Sequence, residues 1–144
     1  THAEVGKVRW GLFARKNAPF PRVMSAAEIK KIPFVIPTYW TQEGFSIGND
    51  SCPLPLEERI QGDETATAEA GLGLIRHTNQ VCFFPAILAL REIQAGELVE
   101  VRVRGWPRVE NSVYITAKSD RVAQRIFKRF CAETSKYLRE IREP

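Results

Sequence analysis

Apolar and polar positions alternate over residues 5–14 (VGKVRWGLFA), with Val8, Trp10 and Leu12 on one side and Lys7, Arg9 and Gly11 on the other, which predicts a half-buried strand. Two prolines and an asparagine make 16–22 (KNAPFPR) a loop. Ser25 then precedes AAEIKKI with Glu28 three positions on, the spacing of a capping box, and predicts a short helix over 25–31. Pro33 ends it, and Phe34, Val35 and Ile36 between two prolines read as a short buried strand. Residues 38–56 are rich in Gly, Asn, Ser and Pro and predict a long exposed connection with room for one helical turn.

Residues 56–61 (LEERIQ) predict a charged strand that Gly62 and Asp63 close, and Asp63 or Thr65 is placed to cap a helix over 64–76. On that helix Ala68, Leu72 and Ile75 share a face, while Ala70, Gly71 and Gly73 permit close backbone approach. His77 to Gln80 form a polar break before the apolar run Val81, Cys82, Phe83, Phe84, a strand that Pro85 terminates. A helix over 86–94 with Gly96 at its C-cap, strands over 97–103 and 112–117, and a turn at Gly105-Trp106-Pro107 follow. Asp120 then caps a long amphipathic helix on which Val122, Ile126, Phe127, Phe130, Thr134, Tyr137, Leu138 and Ile141 recur at helical spacing.

Some six strands interleaved with four helices predict an α/β layered fold with a largely parallel or mixed sheet. Ligands of such folds bind beyond the carboxyl ends of the strands, beside helix N-termini. Here those places are residues 37–40, 63–67 and 85–87.

Composition narrows the function classes. A chain of 144 residues, 44% hydrophobic and 26% charged, suits one domain with its own core. The formal charge of +4 would suit nucleic acid only if the cations clustered. They concentrate in 121–142, interleaved with Glu133 and Glu140, which is the pattern of a solvated helix face. Cys52, Cys82 and Cys131 are far apart and only two histidines are present, so no zinc ligand set forms; free thiols are expected, and no metal or cofactor. No run of about 18 apolar residues and no basic-then-apolar start occur, so the expectation is a soluble, cytoplasmic chain with no membrane partner. The initial Thr1 suggests a piece excised from something longer.

The order of motifs resembles the second half of the effector-binding domain of LysR-type transcriptional regulators. The matching features, in sequence, are WGLFARKNAPF, SAAEIKKIPFVIP, ERIQ, ATAEAGLGLIRH, VCFFP, a helix, AGELVEV, SVYITAKSD and a closing amphipathic helix. The most specific is GLIRHTNQVCFFP followed by AGELVEV. The resemblance implies a subdomain of the periplasmic-binding-protein-like (type 2) fold, a mixed sheet flanked by helices. It further implies that residues 1–144 are a single domain, with hinge-crossing strands over 5–15 and 110–118 and a closing helix over 119–144. The first effector subdomain and the winged helix-turn-helix have no counterpart, so DNA would be reached only through a missing N-terminal part. A side-by-side homodimer or homotetramer is implied as well.

The resemblance puts Thr38, Tyr39 and Trp40 where the second subdomain faces its ligand; an aromatic pair beside a hydroxyl can grip a small organic acid, and can equally cover the core edge. Thr65 and Thr67 stand in the first turn of a helix whose N–H groups could hold a carboxylate, with plain capping as their alternative role. His77 fits a helix C-terminus better than catalysis, and Gly71-Leu72-Gly73 lies inside a helix and not in a phosphate loop. Neither histidine is marked as a base for Ser46, Ser51 or Cys52, so no catalytic residue is assigned. The expected function is a non-enzymatic sensor in which a small-molecule effector, an organic acid among the candidates, shifts a DNA-bound oligomer between states. The alternatives are a solute-binding protein or a small-metabolite enzyme of the same fold.

Overall fold

A computed structural model describes residues 1–41, 44–47, 50–118 and 123–141. Strand β1 (His2–Arg15) is longer than the alternation predicts, because two different environments support its halves. Leu12, Phe13 and Ala14 are all buried, as expected of a strand covered on both faces, whereas residues before Trp10 bury mainly Val5. Strands β2 (Val23–Met24), β3 (Pro33–Thr41), β4 (Gly44–Ile47), β5 (Ile60–Thr65), β6 (Cys82–Pro85), β7 (Leu98–Val103) and β8 (Val109–Thr116) complete the strand set of the described residues. Helices α1 (Ala26–Ile29), α2 (Ala68–His77), α3 (Leu90–Gln94) and α4 (Gln124–Glu140) intervene.

The order across the main sheet is β2-β7-β1-β6. On β1, Leu12 faces Val101 of β7 on one edge and Phe83 of β6 on the other, and both pairings are antiparallel. β8 continues where β7 leaves off, pairing with β1 from Trp10↔Val109 to His2↔Thr116. The first half of β1 and β8 therefore form a two-stranded ribbon leading out of the sheet. β3 pairs in parallel with β5 and in antiparallel with β4. It is tied to β6 by the parallel bridge Phe34↔Val81, with Val35 N–H donating to the Val81 carbonyl at 2.8 Å and Val81 N–H to the Pro33 carbonyl at 3.0 Å. The sheet is mixed, as expected.

Two cores lie on opposite faces. Leu12, Met24, Ile29, Phe34, Ile36, Phe83 and Val101 pack on the side of α1. Phe13, Val35, Leu72, Ile75, Phe84 and Leu98 pack beneath α2 and α3. The strict alternation of β1, β3 and β6 between these cores is the strand period expressed in burial.

The capping box forms as expected: Ser25 Oγ accepts from Glu28 N–H at 3.2 Å and Glu28 Oε2 accepts from Ser25 N–H at 2.6 Å. Gly96, φ +71°, follows the last turn of α3, where a left-handed residue is needed.

Several boundaries differ from the sequence expectation. Part of the supposed long connection is strand, since β3 runs to Thr41 and pairs with β4; residues 42, 43, 48 and 49 lie outside the described set. The charged strand starts later, at Ile60, after a 3-10 turn at Leu56–Glu58. α2 begins at Ala68 with Thr67 as its cap, because Glu64 and Thr65 are held in β5 by pairing with Ile36 and Pro37. The helix after Pro85 is a 3-10 turn, Ala86–Ala89, that passes into α3. On the last helix the expected cap Asp120 and Val122 lie outside the described residues, and Ala123 at the N-cap makes no side-chain bond.

The closing helix also buries less than its periodicity predicts. Phe127 is buried and Leu138 lies against Gly6 of the ribbon, but Ile126, Phe130 and Tyr137 are 64%, 60% and 62% exposed. They recur at i, i+4 and i+11, an exposed apolar stripe flanking the face that carries Phe127 and Leu138.

Candidate functional site

Parallel β3, β5 and β6 end on the same side of the sheet, and the antiparallel β1 brings Trp10 to that side. A cavity of about 240 Å³ opens there, bordered by Trp10, Pro37, Thr38, Thr65, Thr67, Gly71, Cys82, Phe84 and Leu88 among others. Residues from the three segments expected to face a ligand thus meet at one site, as strand ends in an α/β sheet lead one to expect.

Thr38, 8% exposed, forms part of the wall, and Thr65 and Thr67 border it from the β5–α2 turn. Both of these hydroxyls are engaged. Thr67 Oγ1 accepts from Ala70 N–H at 3.1 Å, and Thr65 Oγ1 donates to the Thr67 carbonyl at 2.9 Å and accepts from Thr67 N–H at 3.3 Å. Thr67 therefore caps α2, whereas Thr65, extended in β5, bonds only the Thr67 backbone and does not cap the helix. Thr67→Ala is expected to cost about 1 kcal/mol in a denaturant titration; no change in the midpoint would show that the cap bond contributes nothing. Tyr39 and Trp40 follow Thr38 on β3, their backbones paired with Ser46 and Phe45, and their side chains lie outside the described set.

Trp10, Gly71, Cys82, Phe84 and Leu88 were not among the residues expected from sequence. The signal was available in part: Cys82 and Phe84 are two apart on one strand and share a face. Gly71 faces the same space, where an added Cβ would meet Thr65 Cγ2 at 3.3 Å and Cys82 Sγ at 3.8 Å. Trp10 lies 5.8 Å from Phe83, which in turn lies 6.3 Å edge-on from Trp106.

The polar break between α2 and β6 is a set of side-chain clamps. Thr78 Oγ1 donates to the Leu74 carbonyl at 2.8 Å, so this hydroxyl and not His77 meets an open carbonyl of the last turn. Gln80 is buried; its Oε1 accepts from Asp63 N–H at 2.8 Å and its Nε2 donates to Asp63 Oδ2, tying β5 to the start of β6. His77 is exposed beside Arg15, Lys16 and Arg76, remote in the sheet from the cavity's strand ends.

No group of three or more His, Cys, Asp or Glu side chains suited to a metal occurs among the described residues. Burial pushes the Cys82 thiol up to about 12 and the Cys52 thiol up to about 11. Unfolded thiols ionise near 9.0, so the unfolded chain loses these protons first and stability declines as pH rises from there toward 11. Melting temperatures at about pH 8 and about pH 10.5 are expected to show this fall, and Cys52→Ser to reduce it. An equal fall in the variant would exclude Cys52 as a cause.

No family model and no curated protein matches the sequence. Solved structures do match the fold. The regulatory domain of Synechocystis CcmR in complex with 2-PG superposes with a TM-score of 0.66 at 11% identity, over 98% of this chain and 68% of that one. The regulatory domain of MetR, a LysR family regulator from N. meningitidis, gives 0.61 at 11% identity over 99% and 67%. Full-length AphB of Vibrio cholerae, a member of the LTTR protein family, gives 0.57 at 14% identity over 92% and 47%. The chain thus spans about two thirds of the regulatory domains and under half of the full-length regulator. The fold of these residues is that of the periplasmic-binding-protein-like effector-binding domains of LysR-family regulators.

Proposed function

We propose that this chain is the second half of the effector-binding domain of a LysR-type transcriptional regulator and acts as a sensor without catalysis. The fold likeness extends over 92% to 99% of its residues in the three regulators described above, and it carries this assignment. In this reading a small molecule seats against Thr38, Tyr39, Trp40, Thr65 and Thr67. Its differential affinity for open and closed forms shifts the regulator's oligomer, a homodimer or homotetramer, between DNA-bound states. DNA is reached through an N-terminal helix-turn-helix outside these 144 residues, in the cytoplasm.

The ribbon of β1 and β8 supports the assignment of hinge-crossing strands over 5–15 and 110–118. A further subdomain would pack at the far end of that ribbon, against α4. The exposed stripe of Ile126, Phe130 and Tyr137 supports this, since three large apolar side chains on one helix face are more than scattered surface exposure.

The deciding measurement is the mass of the protein as made by its own cells, detected with an antibody raised against this chain. A species of about twice 16.4 kDa or more, carrying a helix-turn-helix ahead of Thr1, is expected. A native species of 16.4 kDa would refute the regulator assignment.

A further inference from the structure

The cavity at the strand ends is notable for what its walls are made of. Among its described lining residues none carries a charge; Trp10, Pro37, Cys82, Phe84, Pro85 and Leu88 give it an apolar, partly aromatic surface. Its side-chain polar atoms are neutral, and two of them are already committed. The Thr65 and Thr67 hydroxyls bond within their own turn, and burial keeps the Cys82 thiol protonated.

The distribution of cations along the chain points the same way. The protein holds 21 Lys and Arg, yet none falls in residues 32–58, 60–75 or 77–90, and these three stretches supply every wall of the cavity except Trp10. Acids do occur there: Glu64 and Glu69 flank the β5–α2 turn. Beside Trp10, Arg9 is directed at Glu100, with contacts of 2.5 Å and 3.4 Å. An anion entering from solvent would lose its hydration and find no charged side chain among the described walls, only the first N–H groups of α2, which carry a partial charge too small to replace a cation. An apolar ring, by contrast, would exchange water for aromatic and aliphatic surface. The volume of about 240 Å³ accommodates one ring.

Resting on the assignment of this cleft as an effector site, we infer that the part of the effector held by this chain is an uncharged, apolar group the size of a single ring. Any ionised group of the effector then lies beyond the contacts of these residues.

Benzyl alcohol and benzoate share a ring and differ in charge, so they test the inference directly. Each is titrated into the ¹⁵N-labelled chain and followed by amide chemical shifts. Benzyl alcohol is expected to move Thr38, Thr65, Gly71, Cys82 and Leu88, with benzoate requiring about tenfold higher concentration for the same shifts. Leu88→Arg places a cation on the exposed lip, and is expected to narrow or reverse that difference. Benzoate binding the native chain at these residues as well as or better than benzyl alcohol would overturn the uncharged class and leave the cleft assignment standing. Failure of both rings to move these amides would overturn the inference and leave standing the cleft assignment, which also involves a subdomain outside this chain.

Discussion

Arg59→Met is expected to destabilise the fold by about 3–5 kcal/mol, because it strands the Asp50 carboxylate in the interior without its counter-charge. Both side chains are 2% exposed. The guanidinium makes a two-pronged contact, NH1 to Oδ2 at 2.7 Å and NH2 to Oδ1 at 2.6 Å, and its Nε donates to the Leu54 carbonyl at 2.7 Å. It also lies over the Phe34 ring at 5.3 Å, adding a cation–π contact. The pair thereby anchors residues 50–59 to the strand that carries Thr38. Denaturant unfolding of the single variant, and of Asp50→Leu combined with Arg59→Met, separates the two parts of the effect. The double variant should recover much of the loss, since two apolar groups need no partner. A single-variant loss below about 1 kcal/mol would mean that water reaches the carboxylate.

Phe13→Ala should cost a comparable amount, about 3–5 kcal/mol, by leaving a cavity at the centre of the sheet. Phe13 is completely buried, and its ring lies 5.0 Å from that of Phe84, at 44° between planes. The substitution therefore bears on the cleft as well. Phe84 is a wall of the cavity and loses its support when the neighbouring ring is removed. Amide shifts spreading from Phe84 to Cys82 and Leu88, together with the lost stability, are the expected outcome. A cost below about 1.5 kcal/mol would show that the core closes over the gap.

Local signals in the sequence were reliable where the cause is local. The capping box at Ser25 and Glu28 and the glycine after α3 need only neighbouring residues, and both form as read. The start of α2 was misread because Asp63, Thr65 and Thr67 are all residues suited to cap a helix, and propensity does not choose among them. The choice is made at long range: parallel pairing of β5 to β3 holds the chain extended as far as Thr65↔Pro37. β5 itself (IQGDET) has almost no apolar signal and exists as a strand through its partner. β4 was hidden for the same reason among glycine and serine.

The candidate site was half legible. Thr38, Thr65 and Thr67 follow from the rule that strand ends and helix starts face ligands, and all three border the cavity. Trp10 was hidden because its place depends on where β1 passes from ribbon to sheet, which no local pattern records. The apolar face of α4 was legible as a period, but periodicity does not reveal that one part of it meets the ribbon and another meets solvent.

That passage from ribbon to sheet makes β1 an optical instrument. Trp10 stands at the junction, bordering the cleft and touching both cores, within a chain of rings that continues through Phe83 to Trp106. Any twist of the ribbon that turns the junction also changes what surrounds an indole, and so does any molecule that enters the cleft. The protein's own ultraviolet emission can therefore report closure and occupancy together, without an attached dye, and Trp40→Phe combined with Trp106→Phe would leave Trp10 as the single indole emitter.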